Sequence, residues 1–437
     1  MVVKTRETEL LPEIPMLAPD ELGRSVKIVA EVKPKNLYDD PHAKNGRQEL
    51  GKPMFNWFFN SPAADPFGRI SGPTGTVDSK NVLSNTVRRR PKGEVNPTRV
   101  IANPDVMTRH IKEVLKYLGA GQVGVTMVHP SLVYVSGRSD QGVVDTDETD
   151  KDDPNEIIRR YPYALCWVLP WDYNLGRAHR HAMGDMAYGW GQQEGAVLAA
   201  NITGYVQDLG YAAIEGKANT IPLAMKAGIG ELGRNGILIS EKFGSRVHVN
   251  AIFTDMPLVP DKPVDIGIKE FCSICNKCAV NCPTNSIPFA GQEVLNGAEK
   301  YKVNWKTCYA LRPYMSKFWR LCLTCVSVCP YTKPDVWWRT AAIKVLKYTP
   351  APLRPWLAVR PLKWLDDTIW GKVPRPRVKW LGYDSGRELS ESPGACNIAG
   401  CSCHSNENLG KEGHYAPATE NARRFEKHKE ITSKKKA

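Results

Sequence analysis

The chain has 437 residues, 42% of them hydrophobic and 24% charged, which excludes a disordered polyelectrolyte and allows a sizeable core in two or three domains. No run approaches the roughly 18 consecutive apolar residues that a membrane-crossing helix needs, and residues 1–13 mix Lys4, Arg6, Glu7 and Glu9 with no signal-peptide pattern, so a cytoplasmic protein is expected. The formal net charge of +13 leaves the surface basic.

Residues 1–103 are rich in proline, glycine and charge, as in Pro62, Pro66, Gly72, Gly75 and the run Arg88, Arg89, Arg90, and are expected to form long loops that wrap another domain. Residues 104–265 have a mixed pattern. It predicts a helix over 105–118, strands over 123–128 and 163–169, a helix over 194–209 and a strand over 247–253. In the second helix Ala196, Leu198, Ala199, Ile202, Tyr205, Val206 and Leu209 repeat at three and four, making one core-facing stripe that Gly210 stops. The acidic stretch 145–153 is expected to be a solvated loop. Residues 266–335 hold most of the cysteines. Residues 336–437 are a basic, tryptophan- and proline-rich extension with a polar tail ending in Lys434, Lys435 and Lys436.

The first cysteine motif is Cys272-x-x-Cys275-x-x-Cys278-x-x-x-Cys282-Pro283. In this ferredoxin signature three closely spaced thiolates clasp one four-iron cubane and the fourth reaches a second. A zinc site needs only four ligands in two pairs, and a disulfide framework does not end in Cys-Pro. The second motif, Cys322-x-x-Cys325-x-x-x-Cys329-Pro330, lacks one cysteine, and Cys308 supplies the missing thiolate. If the fourth cysteine of each motif crosses over, one cluster takes Cys272, Cys275, Cys278 and Cys329, and the other takes Cys282, Cys308, Cys322 and Cys325. Two clusters of about −2 each would lower the net charge by about 4. Such a chain moves single electrons. Cys166 lies in an apolar strand and reads as a core residue, whereas Cys396, Cys401, Cys403 and His404 form a tail cluster read as accessory.

More than 200 residues precede the motifs, so a second redox centre or substrate site is expected. The stretch 226–236 contains Gly-x-Gly-x-x-Gly, but 221–226 looks helical and 237–240 strand-like, the reverse of a dinucleotide fingerprint. Its glycines instead suit a close backbone approach to a flat or phosphate-bearing cofactor. His179 and His181, flanked by arginines, read as pocket or solvent-facing residues rather than metal ligands.

These residues, taken in order, resemble the corrinoid-dependent reductive dehalogenases. The resemblance rests on Ile221-Pro222, the run Ala227 to Gly236, Phe243 to Val247, Phe253 to Leu258, and Phe271-Cys272 followed by both cluster motifs with the stray Cys308-Tyr309; Asn56 to Asn60 is a weaker echo. It implies an α+β, nitroreductase-like domain that holds a base-off corrinoid of the cobalamin or norpseudo type, joined to a bacterial-ferredoxin-like subdomain with two 4Fe-4S clusters. Gly228, Gly230, Gly233, Arg234, Gly236 and Arg246 fall in the segments that the resemblance assigns to corrinoid binding. The substrate would be a small organohalide, and the electrons would come from an external donor such as a ferredoxin or flavodoxin.

In the family a tyrosine donates the proton, supported by an amide or basic side chain and a further basic residue. Lys217 sits where the family has asparagine or lysine, and His248 where it has the second arginine of Arg-x-Arg, after Arg246. Gap-free counting for the tyrosine lands on Gln192; Tyr188, one helical turn earlier, is the choice made here. Two alternatives stay open: an epoxyqueuosine-reductase-like enzyme acting on tRNA, and an iron-sulfur electron carrier without catalysis.

Between 336 and 380 there are ten lysines and arginines, two acids (Asp366 and Asp367) and six tryptophans. That composition suits a peripheral membrane surface or an acidic protein partner, and nucleic acid is not expected. Pro350, Pro352, Pro355, Pro361, Pro374 and Pro376 break the stretch into short pieces.

Overall fold

A computed structural model describes residues 16–34, 95–134, 153–177, 182–215, 218–310, 322–334, 336–372, 379–380 and 383–384. In chain order the elements that build the site are strand β1 (Lys27–Ile28), helix α1 (Pro104–Tyr117), strands β2 (Gln122–Met127) and β3 (Tyr163–Pro170), and helix α2 (Ala182–Asp208). There follow β4 (Ala213–Glu215), α3 (Thr220–Lys226), β5 (Gly230–Leu232), β6 (Leu238–Ser240), β7 (Val247–Thr254) and α4 (Ile268–Cys275). The last are β8 (Glu293–Leu295), β9 (Ala298–Lys300), α5 (Trp337–Tyr348) and α6 (Arg360–Trp370).

The centre is a four-stranded antiparallel sheet in the order β2-β3-β7-β4. β3 has no polar face because both of its sides are covered, and its alternation sorts the two cores. Ala164, Cys166 and Val168 face a layer containing Leu223, Ala224 and Met225 of α3 and the N-terminal residues Leu17, Leu22, Val26 and Ile28. Leu165, Trp167 and Leu169 face Met107, Ile111 and Leu115 of α1 and Leu198, Ala199, Ile202 and Val206 of α2. Cys166 is fully buried in the first of these layers. Gly124 lets α3 cross β2 closely, since a Cβ there would lie 2.1 Å from the Ala227 carbonyl oxygen.

α1 begins where Asn103 caps it, accepting from the Asp105 N–H, with Pro104 opening the first turn. α2 begins at Ala182, well before the expected 194. Gly184, Gly189, Gly191 and Gly195 blur the apolar period over its first half, and packing rather than propensity holds that half helical. The loop expected at 145–153 lies outside the described residues up to 152, and Asp153 caps a short helix, Pro154–Arg160.

β1 pairs with β9, which pairs with β8, so part of the N-terminal region is woven into the cysteine-bearing segment. Arg24 strengthens that tie through Asp265 at 2.8 Å and Glu270 at 2.7 Å, and Arg354 bonds the same two carboxylates. Among the described residues no helix is long and apolar enough to cross a membrane.

Candidate electron-transfer and reaction site

α4 ends inside the first motif. Asn276, next after Cys275, has φ 54°, and Leu323, next after Cys322, has φ 47°. The two Cys-x-x-Cys loops therefore make the same left-handed turn, and a bulky leucine holding it marks a loop shaped by what it encloses. Backbone N–H groups point at sulfur: that of Ser286 reaches the Cys282 Sγ at 3.3 Å, and that of Lys277 bonds the Cys275 thiolate.

None of the described cysteines is in a disulfide. Burial pushes the Cys272 and Cys275 thiols up to about 12 and Cys278 well above its ordinary value. Repulsion adds to this: Cys278 feels Cys272, Cys275 and Cys329. Cys325 is likewise raised by burial first, then by Cys308 and Cys322, with Cys278 and Cys282 further contributors. Two crowded groups of thiols thus abut. Ionised together they are unfavourable unless a cationic centre sits among them, which is what an iron-sulfur cluster supplies. The donor set fits that group.

The tyrosine site lies where α2 crosses β3 and β7. Gly191 and Gly195 are one turn apart on α2, opposite His248 and Asn250, which share a face of β7. A Cβ at Gly191 would meet Trp171 at 3.2 Å and one at Gly195 would meet the Asn250 side chain at 2.7 Å, so the helix rides directly on the sheet. Tyr188 stands edge-on to both Trp171 and His248, with ring centroids 5.4 Å and 6.0 Å away. Gln192 Nε2 donates to the Tyr188 hydroxyl at 3.1 Å, so the two candidates left open by counting occupy one site together. Arg246 Nη1 donates to the Trp171 carbonyl at 2.6 Å, and its guanidinium lies over Phe243.

Trp171 Nε1, Gln192 Oε1 and Asn250 Nδ2 are buried without a hydrogen-bond partner among the described residues. Trp171 and Gln192 both contact Tyr188, and their orphaned polar atoms are what a polar-edged cofactor such as a corrinoid would satisfy. Trp171, Tyr188 and Leu175 pack with Ile237, Val326, Leu323 and Cys325, which joins the tyrosine site to the second thiol quartet. Cys278, Cys282 and Cys325 share a further packed group that joins the quartets to each other.

The glycine-rich run makes close contacts with other protein segments. Gly230 approaches the Ile239 carbonyl in the β5–β6 hairpin, Gly233 the Ile239 and Asn235 side chains, Gly228 the Lys262 carbonyl, and Gly236 the Trp305 ring. The close neighbours here are protein atoms. Arg234, buried, donates from Nε and Nη2 to the Cys272 carbonyl at 3.0 and 2.8 Å, and from Nη1 to Pro288, Phe289 and Ala290 carbonyls. It therefore clamps the first motif. Lys217, His179, His181, Cys396, Cys401 and Cys403 lie outside the described residues. Trp171, Gly191, Gly195 and Asn250 were missed from sequence; the four-residue glycine spacing ahead of the apolar stripe was the available signal.

Fold and cysteines together define an α+β domain carrying a ferredoxin-type iron-sulfur subdomain. Residues 271–333 match the 4Fe-4S dicluster domain family. The chain is 37% identical over 142 residues to the tetrachloroethene reductive dehalogenase of Sulfurospirillum multivorans, covering 30% of this chain and 28% of that one. It is 33% identical over 190 residues to the enzyme of the same name from Dehalobacter restrictus, covering 40% and 33%. The solved structure of the catabolic reductive dehalogenase NpRdhA superposes with a TM-score of 0.65 at 21% identity, covering 78% of this chain and 47% of that chain. Over these stretches the chain is similar to reductive dehalogenases, and its fold is that of NpRdhA. The matched stretches span about a third of the curated relatives' length.

Proposed function

We propose that the protein is a reductive dehalogenase that replaces the halogen of a small organohalide by hydrogen, consuming two electrons and one proton and releasing halide. A corrinoid held beside Tyr188 would supply the reduced cobalt that breaks the carbon-halogen bond, and the two thiol quartets would hold 4Fe-4S clusters that pass electrons singly.

This chain's own residues orient and protonate. Tyr188 is the proton donor, held by Gln192 on one side and boxed by Trp171 and His248 on the other. Lys217 would favour the tyrosinate and so ease proton delivery near neutral pH. Arg246 fixes the Trp171 backbone, and with it the wall of the site.

The observation that carries the reading is the packed continuity from Cys325 through Leu323 and Val326 to Trp171 and Tyr188, since a redox chain needs its last cluster against the reacting centre. Its test is halide release from tetrachloroethene and from 3-bromo-4-hydroxybenzoic acid by anaerobically reconstituted, corrinoid-loaded protein under a low-potential reductant. Halide in proportion to electrons supplied supports the reading; tRNA-linked epoxyqueuosine turnover without halide would replace it.

The donor is an external ferredoxin or flavodoxin. Trp337, Trp356 and Trp364 are each more than 60% exposed beside Lys344 and Arg360, which supports contact with an anionic membrane surface or an acidic donor. Salt-sensitive binding to anionic but not neutral vesicles separates the first from the second.

A further inference from the structure

α6 is turned inside out. Trp364, Leu365 and Ile369 face solvent at 68%, 39% and 54% exposure, while the helix points its two carboxylates inward. Asp366 pairs with Lys277, and its other oxygen lies 3.3 Å from the Lys333 ammonium. Asp367 lies 3.2 Å from Lys277 and 2.6 Å from Lys363. Lys277, Lys333 and Asp366 are 3%, 4% and 7% exposed at the side chain, so this is a dry ionic group. Lys333 also lies over the Trp370 ring at 4.7 Å, and Asn281 ties the Lys277 and Lys372 carbonyls together.

A buried ion group of this kind is poor evidence for stability, because well-packed apolar side chains in its place commonly do as well. Its position is more informative. Lys277 lies between Cys275 and Cys278, and Lys333 comes shortly after Cys329, just beyond the second motif. Three of the four thiolates read as holding one cluster are thus flanked by the two lysines that α6 neutralises. Cys275 feels both Lys277 and Asp366, and Cys329 feels both Lys333 and Asp366.

We propose that Asp366 and Asp367 are positioning residues that lower the reduction potential of the cluster held by Cys272, Cys275, Cys278 and Cys329, and leave the other cluster largely unaffected. The inference rests on the two-cluster reading above. On reduction one electron enters, no bond forms or breaks, and the cluster with its thiolates goes from about −2 to about −3. Buried ammonium groups nearby favour the added negative charge, and carboxylates oppose it. With both lysines left uncompensated the cluster would be easier to reduce; the α6 carboxylates restore it to a stronger one-electron donor.

The test is an EPR-monitored redox titration, with dithionite as reductant, of fully reconstituted wild-type, Asp366→Asn and Lys333→Met proteins. Asp366→Asn is expected to shift one cluster, and only one, to a more positive midpoint by about tenfold in its reduction equilibrium, about 59 mV for one electron. Lys333→Met is expected to shift the same cluster the other way, and the double variant to return near the wild-type midpoint. Should Asp366→Asn fail to hold iron, Lys333→Met and the double variant carry the test. Unmoved midpoints in variants with full iron would overturn the proposal. Wild-type protein lacking two clusters would instead overturn the reading on which it rests.

Discussion

Replacing Arg234 with methionine removes a guanidinium whose donors are spent on the carbonyls of Cys272, Pro288, Phe289 and Ala290 and whose face lies 4.2 Å from the Tyr301 ring centroid. Methionine fills much of the volume but donates nothing. At least the Cys272, Pro288 and Ala290 carbonyls lose their charged donor, and each buried acceptor left unmet costs roughly 1–3 kcal/mol, so a loss of about 3 kcal/mol is the lower bound. At roughly 1 °C per kcal/mol for a chain of this length, that is a fall of about 3 °C or more in thermal midpoint. Because the Cys272 carbonyl anchors the first motif, iron should also leave faster under a chelator. Lysine in place of Arg234 keeps the charge but not the fork, and should recover only a minor part of both losses. The assay is thermal unfolding and chelator-driven iron loss on anaerobic protein. An Arg234→Met protein with wild-type midpoint and iron retention would refute the clamp.

Tyr188→Phe loses one hydroxyl bonded to Gln192, so its thermal midpoint should barely move while halide release falls about 10²- to 10⁴-fold; full activity would remove Tyr188 from the proton-donor role. Cys166→Ser places a hydroxyl in a fully buried apolar strand, and should destabilise by roughly 1–3 kcal/mol without lowering iron content; iron loss would contradict its reading as core. Burial pushes the Glu231 carboxyl up to about 7 although Ile266 and Ile268 N–H groups bond it. The folded state then holds this proton more tightly than the unfolded chain does. Its contribution to stability is complete below about pH 4.5 and is lost as pH rises to about 7, by about 3 kcal/mol at most. Glu231→Gln should flatten that slope in urea unfolding at pH 5 and pH 8; an unchanged slope would refute it.

Element type was legible wherever apolar period and punctuation agreed. β3 declared itself through an apolar run, and α1 through its pattern over 105–118. The first half of α2 was not legible, because the glycines that let it ride on β7 erase the period that announces a helix. For the same reason Trp171, Gly191 and Asn250 escaped notice: they matter through a crossing of distant segments. Ferredoxin spacing made the cysteines legible as one cluster-binding group, and Cys278 is crowded by Cys329 as Cys325 is by Cys308. The packing role of Arg234 and the glycine run was not legible, because a close approach between two protein segments and one to a ligand demand the same residue types.

Anaerobic reconstitution followed by iron analysis and EPR of the reduced chain addresses the wiring most directly. The account predicts about eight irons per chain and two magnetically interacting clusters, with Cys325→Ala abolishing one cluster and the interaction together. Four irons or fewer in wild-type protein, or a Cys325→Ala spectrum still carrying two coupled signals, would contradict it.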